Sequence, residues 1–225
     1  MREWKDRCGG TRADSHRGRH CRYTILIASN LWYSWMKVAI EHMQTARAAR
    51  TAAAAPGIPS NEVSTWMSRE FQASLVAVSA SAHALDALYG STVIPQAVRD
   101  MWKGKGTKRH GKIREALKQV FDTGQVNTKW VADFDWLFDL RDAALHAEEK
   151  PQPPVPHPLG TNTARENVDY SIESAERAVA LAVSVLKWCA DHPRPNLTDA
   201  VAWAGANRPP IQELATSATL PAPVL

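Results

Sequence analysis

Apolar residues recur at three- and four-residue steps through the middle of the chain and never alternate by twos for long, a spacing that predicts helices rather than sheet. A first helix is predicted over about 22–52, with Ile27, Leu31, Trp35, Val38 and Met43 inward and an alanine-rich end that stops before Pro56 and Gly57. A second runs from about Ser60 to Tyr89, turns Val63, Trp66, Phe71, Leu75, Val78, Ala82, Leu85 and Leu88 inward, and ends at Gly90. A short piece from Pro95 to Trp102 precedes a third helix, Ile113 to Phe121. The fourth, about Thr128 to His146, has Trp130, Phe134 and Leu137 as its inner stripe. The fifth begins near Asp169 or Ser171 and carries Ile172, Ala175, Val179, Ala182 and Leu186. With no internal repeat, the expected class is all-α, an antiparallel bundle of four to five helices.

The two ends read differently from the middle. Residues 1–21 carry Arg2, Lys5, Arg7, Arg12, Arg17 and Arg19 among glycines with no apolar period, the pattern of a disordered basic leader. The helical domain is expected over 22–192. Residues 193–225 form a proline- and alanine-rich tail, expected to be extended or loosely packed with one short helix at Trp203.

Composition narrows the setting without choosing a function. A chain of 225 residues suffices for one good core. The net charge of +4 permits a nucleic-acid partner and does not require one. The apolar stretch 23–40 is interrupted by Asn30, Ser34 and Lys37 before it reaches the roughly 18 apolar residues of a membrane span, so a buried helix is expected and no membrane partner. Cys8, Cys21 and Cys189 form no CxxC pair, and a reducing cytoplasm is the simplest location for them.

Chemistry concentrates where the fourth helix ends. Continuing the stripe 130, 134, 137 by four residues lands on Arg141, an arginine on an apolar face, where it needs a partner or a cleft. His146 follows five residues later, just before prolines begin at Pro151. An imidazole titrates near neutrality and can move the proton of a 2′-hydroxyl or of a leaving oxygen. A guanidinium fork holds a phosphate and the negative charge that develops on it. Together they suit metal-free cleavage of RNA, and a two-fold dimer would bring two histidines to supply both base and acid.

The run Arg141-Asp142-Ala143-Ala144-Leu145-His146 resembles the hallmark of the HEPN superfamily (higher eukaryotes and prokaryotes nucleotide-binding domain), Arg followed after four to six residues by His. The resemblance covers roughly residues 22–192. It implies an all-α bundle that dimerises, with Arg141 and His146 catalytic, Asp142 orienting them, and no cofactor or metal. The implied activity is a metal-independent endoribonuclease of toxin or antiphage-defence type, leaving a 2′,3′-cyclic phosphate, with RNA, a second copy and an antitoxin or defence protein as partners. Glu148 stands two residues after His146, so the subgroup whose motif continues to a tyrosine is not matched. The alternative is a non-catalytic bundle acting as an interaction module, with Arg141 paired to Asp139 or Asp142 and His146 capping the helix.

Other constellations in the chain compete with this one. Gly106 to Lys112 has P-loop spacing, but Ile113 replaces the metal-holding hydroxyl and no strand precedes it. The same run supplies Lys103, Lys105, Lys108, Arg109 and Lys112, which could steer an RNA phosphate chain. A zinc cluster of Cys8, His16, His20 and Cys21 lacks paired knuckles. His42, His83 and His146 on three helices, with Asp86 three residues after His83, offer no Glu-x-x-His or His-x-x-x-His pair for a bundle metal site. Trp32, Trp35, Trp66, Trp130 and Trp136 have the spacing of core or interface residues before that of base-stacking platforms.

Overall fold

The computed structural model describes residues 30–121, 128–145 and 153–219. The fold is all-α. Helices α1 (Leu31–Ala53), α2 (Ser60–Gly90), α3 (Gln96–Asp100), α4 (Arg109–Val120) and α5 (Thr128–Leu145) are followed by a hairpin of two-residue strands, β1 (Val155–Pro156) and β2 (Asn162–Thr163). Helices α6 (Arg165–Asp169), α7 (Ile172–Asp191) and α8 (Thr198–Thr219) complete the described chain.

The most extensive contact joins α1 to α2. Its buried positions are mostly small, Ala39, Ala46, Ala49 and Ala53 against Ala73, Ser74, Ala77, Ala80, Ser81 and Ala84, so the two backbones approach closely. Gly57, at φ +77°, supplies the left-handed residue of the turn between them, and Pro59 precedes the first turn of α2. The sequence stripe of α1 is displaced by about one residue: Trp32, Met36, Ala39, Ile40 and Met43 face inward, whereas Leu31 and Trp35 are 56% and 38% exposed. Alanines that the apolar reading passed over set the inner face. In the second half of α2 the expected Val78, Ala82, Leu85 and Leu88 are buried; Val63, Trp66, Phe71 and Leu75 are half-buried.

Helix α7 lies against both members of this pair. All five expected core residues of α7, Ile172, Ala175, Val179, Ala182 and Leu186, are buried. Where the three helices meet, Glu70 of α2 is 1% exposed and takes two hydrogen bonds from Arg50 of α1, at 2.7 and 2.6 Å. The same carboxylate accepts the backbone N–H of Ile172 at 3.0 Å, at the positive end of α7. Arg50 also reaches Glu173 at 2.8 Å. A buried carboxylate with three donors is well compensated, and it fixes the register of all three helices.

The C-terminal stretch departs from expectation. Instead of an extended tail with one short helix, residues 198–219 form a 22-residue helix that runs through Pro209 and Pro210 and packs on α7 and α1. Ala200, Ala204, Ile211 and Leu214 give it a buried face. No described helix is long and apolar enough to cross a membrane. The basic leader and the Cys8, His16, His20 and Cys21 group lie outside the described residues.

Candidate functional site

Helix α5 carries the arginine of the motif. Phe134, Leu137 and Phe138 are fully buried and anchor α5 in the core, so the following turn holds Arg141 at the core margin, with 11% of its side chain exposed. Its guanidinium lies over the Phe138 ring at 4.9 Å and donates to Asp142 Oδ1 from Nε at 2.9 Å and from Nη2 at 2.5 Å. The sequence placed Arg141 on the apolar stripe, and the Phe138 stacking is the form that placement takes. Stacking on an aromatic face contributes about 0.5–2 kcal/mol, depending on how far the cation is desolvated. Asp142, one of the two carboxylates offered on sequence grounds, is the partner of Arg141. His146 lies outside the described residues, beginning one residue after α5 ends at Leu145.

Helix α4 runs antiparallel to α5, because Lys108 reaches Asp139 at 3.6 Å while Arg114 reaches Asp135 at 2.9 Å. The start of α4, where the basic run ends, is therefore set beside the half of α5 that holds Arg141. Its members have different surroundings. Lys108 precedes α4 and pairs with Asp139. Arg109 bonds Asp86 of α2 at 2.6 Å and lies over the Tyr89 ring at 4.8 Å. Lys105 lies over the Trp102 ring at 5.2 Å. Lys103 is exposed and Lys112 half-buried, and neither meets a carboxylate among the described residues. Lys103, Lys105 and Lys112 thus meet no carboxylate among the described residues, while Lys108 and Arg109 also secure the loop.

Two contacts of this neighbourhood escaped the sequence reading. His110 Nε2 stands 3.7 Å from Asp135 Oδ1, and its ring lies 6.2 Å from that of Phe138. Asp86, considered on sequence grounds only beside His83, is the anchor of Arg109. Neither contact has a local signal, since each joins residues more than twenty positions apart.

The remaining candidates fall apart in space. His83 Nδ1 bonds the Ser79 carbonyl at 2.6 Å and its ring lies tilted against Trp35 at 5.0 Å, while the neighbouring Asp86 serves Arg109. Among the described residues no group of three or more His, Cys, Asp or Glu is placed to hold a metal ion. Trp32 is buried, and Trp66, Trp130 and Trp136 are half-buried. An open groove of ≈ 510 Å³ between the first half of α2 and the hairpin is lined by Ser60, Val63, Met67, Thr161, Asn162 and their neighbours, with no titratable group.

Comparison of the chain with family models, with curated proteins and with solved structures finds no match in any of the three.

Proposed function

We propose that the surface around Arg141 is an RNA-cleaving site of HEPN type, metal-independent, with Arg141 holding the scissile phosphate and His146 taking the proton of the attacking 2′-hydroxyl. Asp142 orients the fork by two hydrogen bonds. The observation that supports this reading is the antiparallel docking of α4 on α5, which sets Lys108 against Asp139, two residues before Arg141, within a run that also carries Lys103, Lys105 and Lys112. A guanidinium with neighbouring uncompensated cations is what a phosphate chain requires.

The chemistry is a transesterification. The 2′-oxygen bonds to phosphorus, the bond from phosphorus to the 5′-oxygen breaks, and the products are a 2′,3′-cyclic phosphate and a 5′-hydroxyl. Negative charge grows on the non-bridging oxygens during the step, where the arginine fork stabilises it. A second copy of the chain and a neutralising partner protein belong to the same reading, as does a defence role.

A second reading has its own support. Arg141 is already satisfied by Asp142 and Phe138, the arrangement of a structural arginine in a bundle that works by binding another protein. Cleavage of labelled tRNA and mRNA in excess chelator separates the two. The catalytic reading expects cutting by the wild type and its loss, by at least about 100-fold, in Arg141→Ala and His146→Ala. Folded protein that cuts no RNA at any concentration supports the interaction module.

A further inference from the structure

We infer that His157 is an acid-sensitive latch: protonation of its imidazole releases the β1–β2 hairpin from α2 and opens the groove between them, while the helices stay folded. The latch is built into the turn that joins the strands. His157 to Gly160 is a β-turn with Pro158 in second place, closed by the Gly160 N–H donating to the His157 carbonyl at 2.8 Å. Gly160, at φ +78°, takes the left-handed position that returns the chain, and the His157 N–H meets the Thr161 carbonyl at 2.7 Å. At the first position of such a turn an Asp or Asn side chain commonly accepts the N–H two residues on. Here the imidazole takes that part: Leu159 N–H donates to His157 Nδ1 at 3.2 Å.

That contact requires a bare Nδ1. The closed hairpin therefore holds the ring as the neutral tautomer with its hydrogen on Nε2. A second proton can go only to Nδ1, where it faces the Leu159 N–H, turns the acceptor into a donor and removes the bond. With the residue 5% exposed, water does not replace the lost partner while the hairpin stays closed. Arg50 of α1, Glu70 of α2 and Glu173 of α7 are the charged groups whose fields reach the ring, and both carboxylates are already bonded to Arg50. Helix α6, packed on β1, carries Arg165, Glu166 and Asp169, the first and last paired at 3.6 Å. Burial first and Arg50 second hold the imidazole below its ordinary 6.5, against the weaker pull of the two carboxylates. A released hairpin returns the ring to its ordinary value, so the closed form is favoured above 6.5 and opening grows as pH falls through the lower one. The rest of the hairpin is lightly held. It pairs over two residues a strand, Val155 with Thr163 and Pro156 with Asn162, and reaches α2 through Thr161 Oγ1 and Met67 Sδ at 3.7 Å. Thr161, Asn162 and Thr163 line one side of the groove and Val63 and Met67 of α2 the other, so release uncovers that face of α2.

The test is backbone hydrogen exchange followed by NMR at about pH 7.5 and about pH 5, each rate divided by that of the unstructured peptide so that the pH dependence of exchange itself cancels. In the wild type the amides of His157, Leu159 and Gly160 are expected to lose protection at the lower pH, while those of α2 and α7 keep theirs. In His157→Asn, whose amide oxygen accepts the Leu159 N–H at either pH, hairpin protection is expected to be the same at both. Wild-type hairpin protection that does not change with pH, an equal loss in His157→Asn, or a simultaneous loss in α2 and α7 overturns the latch. If His157→Asn does not fold, the nitrogen-15 shifts of the wild-type imidazole decide. A bare Nδ1 at about pH 7.5 that gains its proton in step with hairpin opening is expected, and a hydrogen already on Nδ1 at that pH overturns the inference.

Discussion

Glu70 shows what a single residue contributes to this fold. Its carboxylate is buried, bonded twice to Arg50 and once to the N–H of Ile172, and so ties α2 to α1 and α7. Removing one partner of a buried pair leaves the other without compensation and costs about 3–5 kcal/mol; Arg50 keeps Glu173, which puts Glu70→Ala at about 3 kcal/mol. Urea denaturation should show that loss, and a change below about 1 kcal/mol would mean that the network does not hold the helices. The same cluster sets the acid limit. Burial and then the Arg50 charge hold the His157 imidazole below its ordinary 6.5, so the unfolded chain takes up that proton first, and the contribution is complete above 6.5 and lost as pH falls through the lower folded value. Glu173 acts in the same direction: burial opposes ionisation, but hydrogen bonds from Arg50 outweigh it and hold the carboxyl below 4.5, a contribution lost at still lower pH. Burial pushes the Tyr170 hydroxyl up to about 12, so its contribution is lost only as pH rises above 10. Thermal midpoints should therefore hold level from about pH 7 to 9 and drop below about 6.5, with the first part of the drop reduced in His157→Asn. A midpoint unchanged down to about pH 5 would contradict this account.

At the scale of elements, the helices with large apolar residues at regular steps were legible and those built on alanine were not. Helix α7 shows its stripe openly through Ile172, Val179 and Leu186, and all of these are buried. In α1 the close packing against α2 selects alanine, so Ala39, Ala46 and Ala49 mark the inner face while the larger Leu31 and Trp35 point out. Helix α8 was hidden for a different reason. Pro209 and Pro210 argue against a helix interior by removing two N–H donors, yet Ile211 and Leu214 beyond them bury against the bundle and outweigh the lost bonds. Leu214→Ala should then cost about 2–4 kcal/mol, a core-sized penalty from a stretch that composition reads as a loose tail. An effect under about 0.5 kcal/mol in the denaturation midpoint would show that α8 does not belong to the cooperative unit.

For the whole molecule, the motif and the basic run were both visible in sequence, but their relation was not. Arg141 and Lys108 are 33 positions apart, and the antiparallel packing of α4 on α5 sets Lys108 against Asp139, two residues before Arg141. The part of the site that local patterning could not supply is this long-range pairing, and with it His110 against Asp135 and Arg109 against Asp86. If the uncompensated lysines guide RNA, converting Lys103, Lys105 and Lys112 together to alanine should weaken RNA binding and lower the slope of log affinity against log salt by about 2, while leaving thermal stability nearly unchanged. An unchanged slope would remove these lysines from the RNA path. The central claim is the chemistry itself, and the most direct measurement is the identity of the new 3′ end produced from a labelled RNA with chelator in excess. The account predicts a 2′,3′-cyclic phosphate opposite a 5′-hydroxyl, absent with Arg141→Ala. A 3′-hydroxyl opposite a 5′-phosphate, or cutting that stops when the chelator is added, would contradict it.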